Sequence, residues 1–399
     1  MLVRKAFKFR LKTTPTIEQT LSRFAGCARF VWNKAWTMNM ERLKNRQPIL
    51  RYQELDFWCK LWKNSDEYGF LNECHSQVLQ QKLRDLDKAF MDGFDKTQPN
   101  KRLPNKKKKG VHDGFRYPQG YKISGHQIYL PKIGWMRFKK SQIIVGTPKN
   151  VTVTRRGLHW YISIQTEYEV EQPRHPSPSL VGIDMGIARF ATLSNGKYFE
   201  PKNSFRFHEN RLKIEQRRLS KKQKFSKNWE KQKRRVQKVH SRIADIRLNY
   251  LHEVSHKISK NHAIIVMEDL KVSNMSRSAK GDIFHPGLNV KAKSGLNKSI
   301  LDQGWYTFRK QLKYKQGWRG GEVLLINPKN TSITCPDCGC ISKENRKTQS
   351  EFVCTHCSYR NHADLVGAIN VERAGHARLA CGVVPRGVTM KQESPRVAA

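Results

Sequence analysis

Residues 2–12 alternate, placing Phe7, Phe9 and Leu11 on one face and Lys8, Arg10 and Lys12 on the other; this predicts a half-buried strand with one cationic side. At Thr14 the period changes. Thr14 and Pro15 supply an N-cap and a first helical residue, and Ile17, Leu21, Phe24, Ala28, Val31 and Ala35 follow at steps of three and four. A second helical stripe is Leu79, Leu83, Leu86 and Phe90, and the aromatic stretch 50–75 between the two is expected to be helical as well. Lys106–Lys109, between Pro104 and Gly110, breaks the pattern and is expected to be an exposed loop. From Phe115 to Val170 the chain turns strand-like. Val151-Thr152-Val153 and Trp160-Tyr161-Ile162-Ser163-Ile164, joined through Arg155-Arg156-Gly157, predict a hairpin. Residues 1–12 are expected to return and pair with it, leaving the helical section as an insertion in a small β-barrel.

Two strongly apolar runs follow, Leu180-Val181-Gly182-Ile183-Asp184 and Ile264-Ile265-Val266-Met267-Glu268, each ending on an acid. After the first, Arg189–Leu193 and the turn Ser194-Asn195-Gly196 predict a hairpin. Residues 206–242 are dense in Lys and Arg and enter a helix whose stripe is Val236, Val239, Ile243, Ile246, Tyr250, Val254 and Ile258. Residues 273–297, polar and rich in Gly and Ser, are expected to be mobile, and 381–399 to be a disordered tail.

At 399 residues and 38% hydrophobic content the chain can fill several domain cores. Its 76 Lys and Arg against 33 acidic residues leave +43, an imbalance that a polyanion would neutralise, nucleic acid being the obvious one. A run of 18 apolar residues and a signal-type segment are both missing, so neither a membrane span nor secretion is expected, and the cytoplasm is. Nine cysteines, four of them in two C-x2-C pairs and Cys27, Cys59, Cys74, Cys340 and Cys381 scattered, do not form a disulfide framework.

Cys335, Cys338, Cys354 and Cys357, with fifteen residues between the pairs, predict four thiolates on one tetrahedral, structural Zn2+. This module is expected to offer Lys343, Arg346 and Lys347 to nucleic acid. Asp184 and Glu268 close buried strands, and Asp364 opens a helix expected over Leu365–Glu372. Strand, strand, helix in that order matches an RNase H-like sheet, on which three carboxylates converge on two Mg2+ ions about 4 Å apart for phosphodiester hydrolysis. Asp269 should point to the other side of its strand. The cationic first strand, the Lys106 cluster and Arg206–Arg242 are candidate RNA or heteroduplex contacts or else solvated faces; Trp32 and Trp58 either stack on bases or fill the core.

Gly-Ile-Asp184-Met-Gly, Glu268-Asp-Leu, Trp305-Tyr-Thr-Phe-Arg-Lys-Gln-Leu-Lys-Tyr-Lys, Thr331-Ser-Ile-Thr-Cys-Pro-Asp-Cys-Gly, Ala363-Asp364 through Ala368-Ile-Asn370 and Arg29-Phe-Val-Trp32-Asn33 together resemble the TnpB (OrfB) proteins of bacterial insertion sequences, relatives of type V CRISPR effectors. The resemblance implies an α+β multidomain protein. A wedge β-barrel (1–13 and 115–176) is interrupted by a helical recognition domain (14–114). An RNase H-like RuvC nuclease domain (177–331 and 359–380) carries an inserted zinc ribbon (332–358). It further implies an RNA-guided DNA endonuclease in the bacterial cytoplasm, nucleoid-associated when on DNA. Its guide RNA comes from the transposon end, and its target is double-stranded DNA beside a short motif. Asp184, Glu268 and Asp364 would be its catalytic Mg2+ ligands. Gly367, where the family often has Ala, and Gln316-Gly317, for a more usual Lys-Ala, depart from it without removing a ligand. The alternatives are a cleavage-inactive guided DNA-binding protein and a DDE-type transposase, whose acids run Asp, Asp, Glu.

Overall fold

The N-terminal alternation forms β1 (Leu2–Lys12), with Val3, Phe7, Phe9 and Leu11 buried. α1 (Pro15–Lys44) follows, capped where Ile17 N donates to Thr14 Oγ1 at 3.3 Å. The computed structural model describes residues 1–111 and 113–381, so the expected disordered tail falls, from residue 382 on, outside the described residues. The chain divides into two units, Met1–Val170 and one beginning at Glu171.

In the first unit α1 is followed by α2 (Tyr52–Asn64), a 3-10 turn (Asp66–Glu73) and α3 (Ser76–Phe94), whose Leu79, Leu83, Leu86 and Phe90 are buried. Then come β2 (Gly114–Tyr117), β3 (Lys122–Ser124), β4 (Gln127–Leu130), β5 (Gly134–Lys139), β6 (Thr147–Arg156) and β7 (His159–Glu169). They form one seven-stranded antiparallel sheet in the order β2-β6-β7-β1-β5-β4-β3. β1 serves two neighbours: Leu2–Arg10 pair with β7, and Arg10–Lys12 with β5. The β6–β7 hairpin turns at Gly157, whose φ of +59° favours a residue without Cβ. One core holds the inward residues of this sheet and of α1 and α3.

The second unit holds a five-stranded sheet. β8 (Leu180–Asp184), β9 (Ala191–Leu193) and β10 (Tyr198–Phe199) form its antiparallel part. The basic stretch then forms two helices, α4 (Ser204–Ser220) and α5 (Lys227–Asn261). The sequence led us to expect one helix; the break falls at Lys221–Ser226, where Ser226 caps α5 by accepting from Trp229 N at 3.1 Å. Val236, Val239 and Ile243 of α5, the start of the expected apolar stripe, are buried as that stripe implies, and Leu212 of α4 packs against them. β11 (Ile264–Glu268), α6 (Val272–Met275), α7 (Val290–Gln303), α8 (Trp305–Arg319) and β12 (Glu322–Ile326) follow. α7 begins inside the stretch expected to be mobile, because Leu296 and Ile300 supply a helical spacing that the polar composition hid.

β8, β11 and β12 run parallel in the order β10-β9-β8-β11-β12. Buried on both faces, such strands are apolar throughout rather than alternating. α8 covers one face through Trp305, Phe308 and Leu312. Gln316, one of the departures from the family pattern, is buried in α8 and donates to His262 O at 2.6 Å just ahead of β11. After β13 (Glu351–Val353) and β14 (Arg360–His362), α9 (Ala363–Ala380) packs on β8. That approach requires Gly182, since a Cβ there would overlap the Ala368 carbonyl oxygen. No helix among the described residues is long and apolar enough to cross a membrane.

Candidate active site

Parallel pairing sets Ile183 opposite Met267, so Asp184 and Glu268, one step further, end neighbouring strands at the same edge of the sheet. In open parallel sheets that carboxyl edge is where ligands gather. Asp364 lies in the first turn of α9, with its backbone N–H on His362 Nδ1 at 3.2 Å. Gly367, one turn on, faces Asp184: a Cβ built there would lie 3.2 Å from Asp184 Oδ2.

The three acids interact. Burial, then Glu268, then Asp364 push the Asp184 carboxyl up to about 7. Glu268, 9% exposed, is raised by burial and held against this by its hydrogen bond from Thr331 Oγ1 at 2.5 Å. Crowded carboxylates in a low-dielectric edge are the arrangement that a hard cation relieves. Asp269 is not part of it. It turns outward and pairs with Arg309 at 2.6 Å, as its place on the other side of the strand end implies.

One cation enters from the cysteine module. Arg346 lies 3.6 Å from Asp364 Oδ1 and favours the charged forms of Asp184 and Glu268. The sequence led us to group it with Lys343 and Lys347 as a nucleic-acid contact; instead its side chain is only 23% exposed and turned toward the acids. Nothing in the local pattern separates Arg346 from its basic neighbours. Thr331, which donates to Glu268, likewise has no local sequence signal that marks it as a site residue. Asn370, a residue of the Ala368-Ile-Asn370 motif, holds its segment to α9 by donating to Thr331 O at 2.8 Å and Thr334 O at 2.7 Å.

Cys335, Cys338, Cys354 and Cys357 form a cluster with all four sulfurs within 4.8 Å of one another. Cys335 and Cys357 are 3.6 Å apart, and Cys338 and Cys354 3.5 Å. A tetrahedron with Zn–S bonds of about 2.3 Å has edges of about 3.8 Å, so the donors fit zinc and leave no open position. Backbone N–H groups of Asp337 and His356 point at Cys335 and Cys354 Sγ, each at 3.4 Å. Between the pairs, buried Asn345 donates to Ile333 O and Cys340 O and accepts from Thr355, tying the two knuckles together next to Arg346.

Comparison with known proteins matches these segments in order. A helix-turn-helix domain profile of the OrfB type matches residues 1–48, although that range here is one strand and one long helix. The OrfB profile described as a probable transposase matches 163–279, and a Cas12f1-like TNB domain profile matches 305–371. A protein of Escherichia coli (strain K12) named as an RNA-guided DNA endonuclease, InsQ, is 51% identical over 98% of this chain and 97% of its own length. The chain belongs to the TnpB (OrfB) family. A second member, from Streptomyces pristinaespiralis and also named as an RNA-guided DNA endonuclease, is 32% identical over 99% of this chain and 94% of its own. The fold is also that of the protein in a cryo-EM structure of a Cas12f1-sgRNA-target DNA complex, with a TM-score of 0.54 at 12% identity over 93% of this chain and 99% of that one. Within the family, the Asp184 and Glu268 strands fall in the OrfB match, and Asp364 with the four cysteines in the TNB match.

Proposed function

We propose that this TnpB-family protein is an RNA-guided DNA endonuclease of a bacterial transposon, acting in the cytoplasm and hydrolysing target DNA beside a short motif. The observation that carries the catalytic part is the meeting of Asp184 with Glu268 on adjacent strand ends and with Asp364 from α9, close enough that both neighbours raise its pKa. Relatives named as RNA-guided DNA endonucleases, matching along nearly the whole chain, support the rest.

In this reading the five-stranded sheet is RNase H-like, with 177–331 and 359–380 as a RuvC domain and 332–358 as a zinc ribbon. The seven-stranded sheet (1–13 and 115–176) is the wedge barrel, and 14–114 the recognition domain. β1, shared between β5 and β7, supports the barrel; three parallel strands flanked by an antiparallel hairpin support the nuclease sheet.

Asp184, Glu268 and Asp364 would hold two Mg2+ ions, which supply activation of water and a counter-charge for the leaving oxygen. The chain's own residues prepare the place. Thr331 fixes one Glu268 oxygen, and the missing side chain at Gly367 leaves room for Asp184. Arg346 offsets part of the negative charge while no substrate is present. The zinc ribbon carries Arg346, whose place therefore depends on the cysteine module keeping its fold, whereas Thr331 is tethered by Asn370 of α9.

The test is cleavage of a plasmid bearing the guide's target in Mg2+, by wild type beside Asp184→Ala. Linearisation by wild type and none by the variant is expected. Binding without cutting by wild type would leave a guided DNA-binding protein, and cutting that survives the substitution would refute the site.

A further inference from the structure

The lysine run is the exposed loop expected, and its backbone is fastened to α1. Arg29, Trp32, Asn33 and Trp36 stand at i, i+3, i+4 and i+7 on α1, one face of the helix. Trp36 Nε1 donates to Pro104 O, and Trp32 Nε1 to Asn105 O at 3.0 Å. Asn33 closes a two-bond clasp on Lys107, donating to its carbonyl at 3.0 Å and accepting from its N–H at 2.7 Å. Arg29 ends the strap by pairing with Asp113 at 2.6 Å, the two side chains being 17% and 9% exposed. Asp113 in turn accepts from Gly110 N at 3.1 Å. Both indole rings are covered by the strap's own cations, Lys107 at 3.8 Å from Trp32 and Lys106 at 5.1 Å from Trp36.

This is an unusual way to treat four successive lysines. Their mutual repulsion favours a mobile, extended loop, yet a half-buried ion pair and four hydrogen bonds to one helix face fasten the backbone, with Lys106, Lys108 and Lys109 exposed. A fixed cationic row gains affinity for a polyanion because less freedom is lost on binding. The residues are all Lys, point charges suited to phosphates, and the two tryptophans are spent on the strap and cannot stack on bases.

We propose that residues 104–110, held by Arg29, Trp32, Asn33 and Trp36, form a preorganised clamp for the phosphate backbone of double-helical RNA. The clamp extends the proposed function, on which it rests, by assigning a surface to the guide. RNA is favoured over DNA on geometry. The deep, narrow major groove of A-form RNA brings two phosphate rows together, within reach of one short rigid row of cations. In B-DNA that groove is about 12 Å wide and keeps the two rows apart.

Two variants of the full chain separate charge from preorganisation, read by fluorescence anisotropy over a range of salt. The probes are a short labelled RNA duplex and the DNA duplex of the same sequence. Lys106→Gln with Lys109→Gln removes two exposed charges and should lower the RNA log–log salt slope by about two. Asn33→Ala with Trp36→Phe keeps every charge and should weaken RNA binding roughly tenfold with the slope unchanged. Trp36→Phe alone, which loses the indole N–H and part of the ring under Lys106, should move affinity the same way to a smaller extent if the double variant proves unstable. An RNA slope unmoved by the lysine pair, or a change confined to DNA, overturns the clamp while leaving the nuclease proposal standing. Failure of wild type to bind either duplex overturns both.

Discussion

Asp184 holds a proton that an unfolded chain would release, because burial and two acidic neighbours raise its pKa to about 7. The folded state therefore binds more protons than the unfolded one between about pH 4 and pH 7. Asp184's share of stability is complete at the acid end and is lost as pH rises through about 7. Without added Mg2+, raising the pH from about 5 to about 8 should lower the melting temperature of wild type more than that of Asp184→Asn. Equal slopes in the two proteins would mean that the acids do not crowd one another. Arg346 leads to a second expectation. It competes for the same carboxylates, so Arg346→Ala should tighten Mn2+ binding roughly tenfold in calorimetry with no nucleic acid present; unchanged affinity would place the guanidinium elsewhere. The acids could be picked out because each ends an apolar run or opens a helix. Arg346 and Thr331 could not, since what distinguishes them is the acid that the folded chain brings each one against.

The packing of α9 on β8 tolerates no side chain at Gly182, where a Cβ overlaps the backbone of the helix. Gly182→Ala should cost about 1–3 kcal/mol in urea unfolding, with cleavage falling as Asp184 and Asp364 separate. Wild-type stability in that variant would show a looser contact than the structure has. The zinc ribbon is the other element on which the site depends. Cys354→Ser should remove bound zinc, free Arg346, and abolish cutting while the chain keeps its far-ultraviolet circular dichroism. Zinc content of one per chain in wild type and none in the variant checks the first step. Periodicity placed most strands and helices, because alternation and three-four spacing report burial directly. It missed the break between α4 and α5, where lysines fill both the helices and the turn. It also missed the anchoring of Lys106–Lys109, because a charge run carries no sign of what its backbone bonds to.

For the whole molecule, +43 is shared between surfaces of different kinds: a fixed strap on α1, the two basic helices α4 and α5, and one arginine turned toward the acids. Composition foretold a polyanionic partner and nothing about this division, which depends on contacts between segments far apart in the chain. Each proposed catalytic role nevertheless comes back to one place. Mn2+ is a spectroscopic substitute for Mg2+, so electron paramagnetic resonance of the zinc-loaded full chain can count ions at the sheet edge directly. Two coupled Mn2+ per chain are expected in wild type, and loss of the coupled signal in Asp184→Ala, Glu268→Gln and Asp364→Asn alike. A coupled pair that persists in any one of these variants would contradict the shared site.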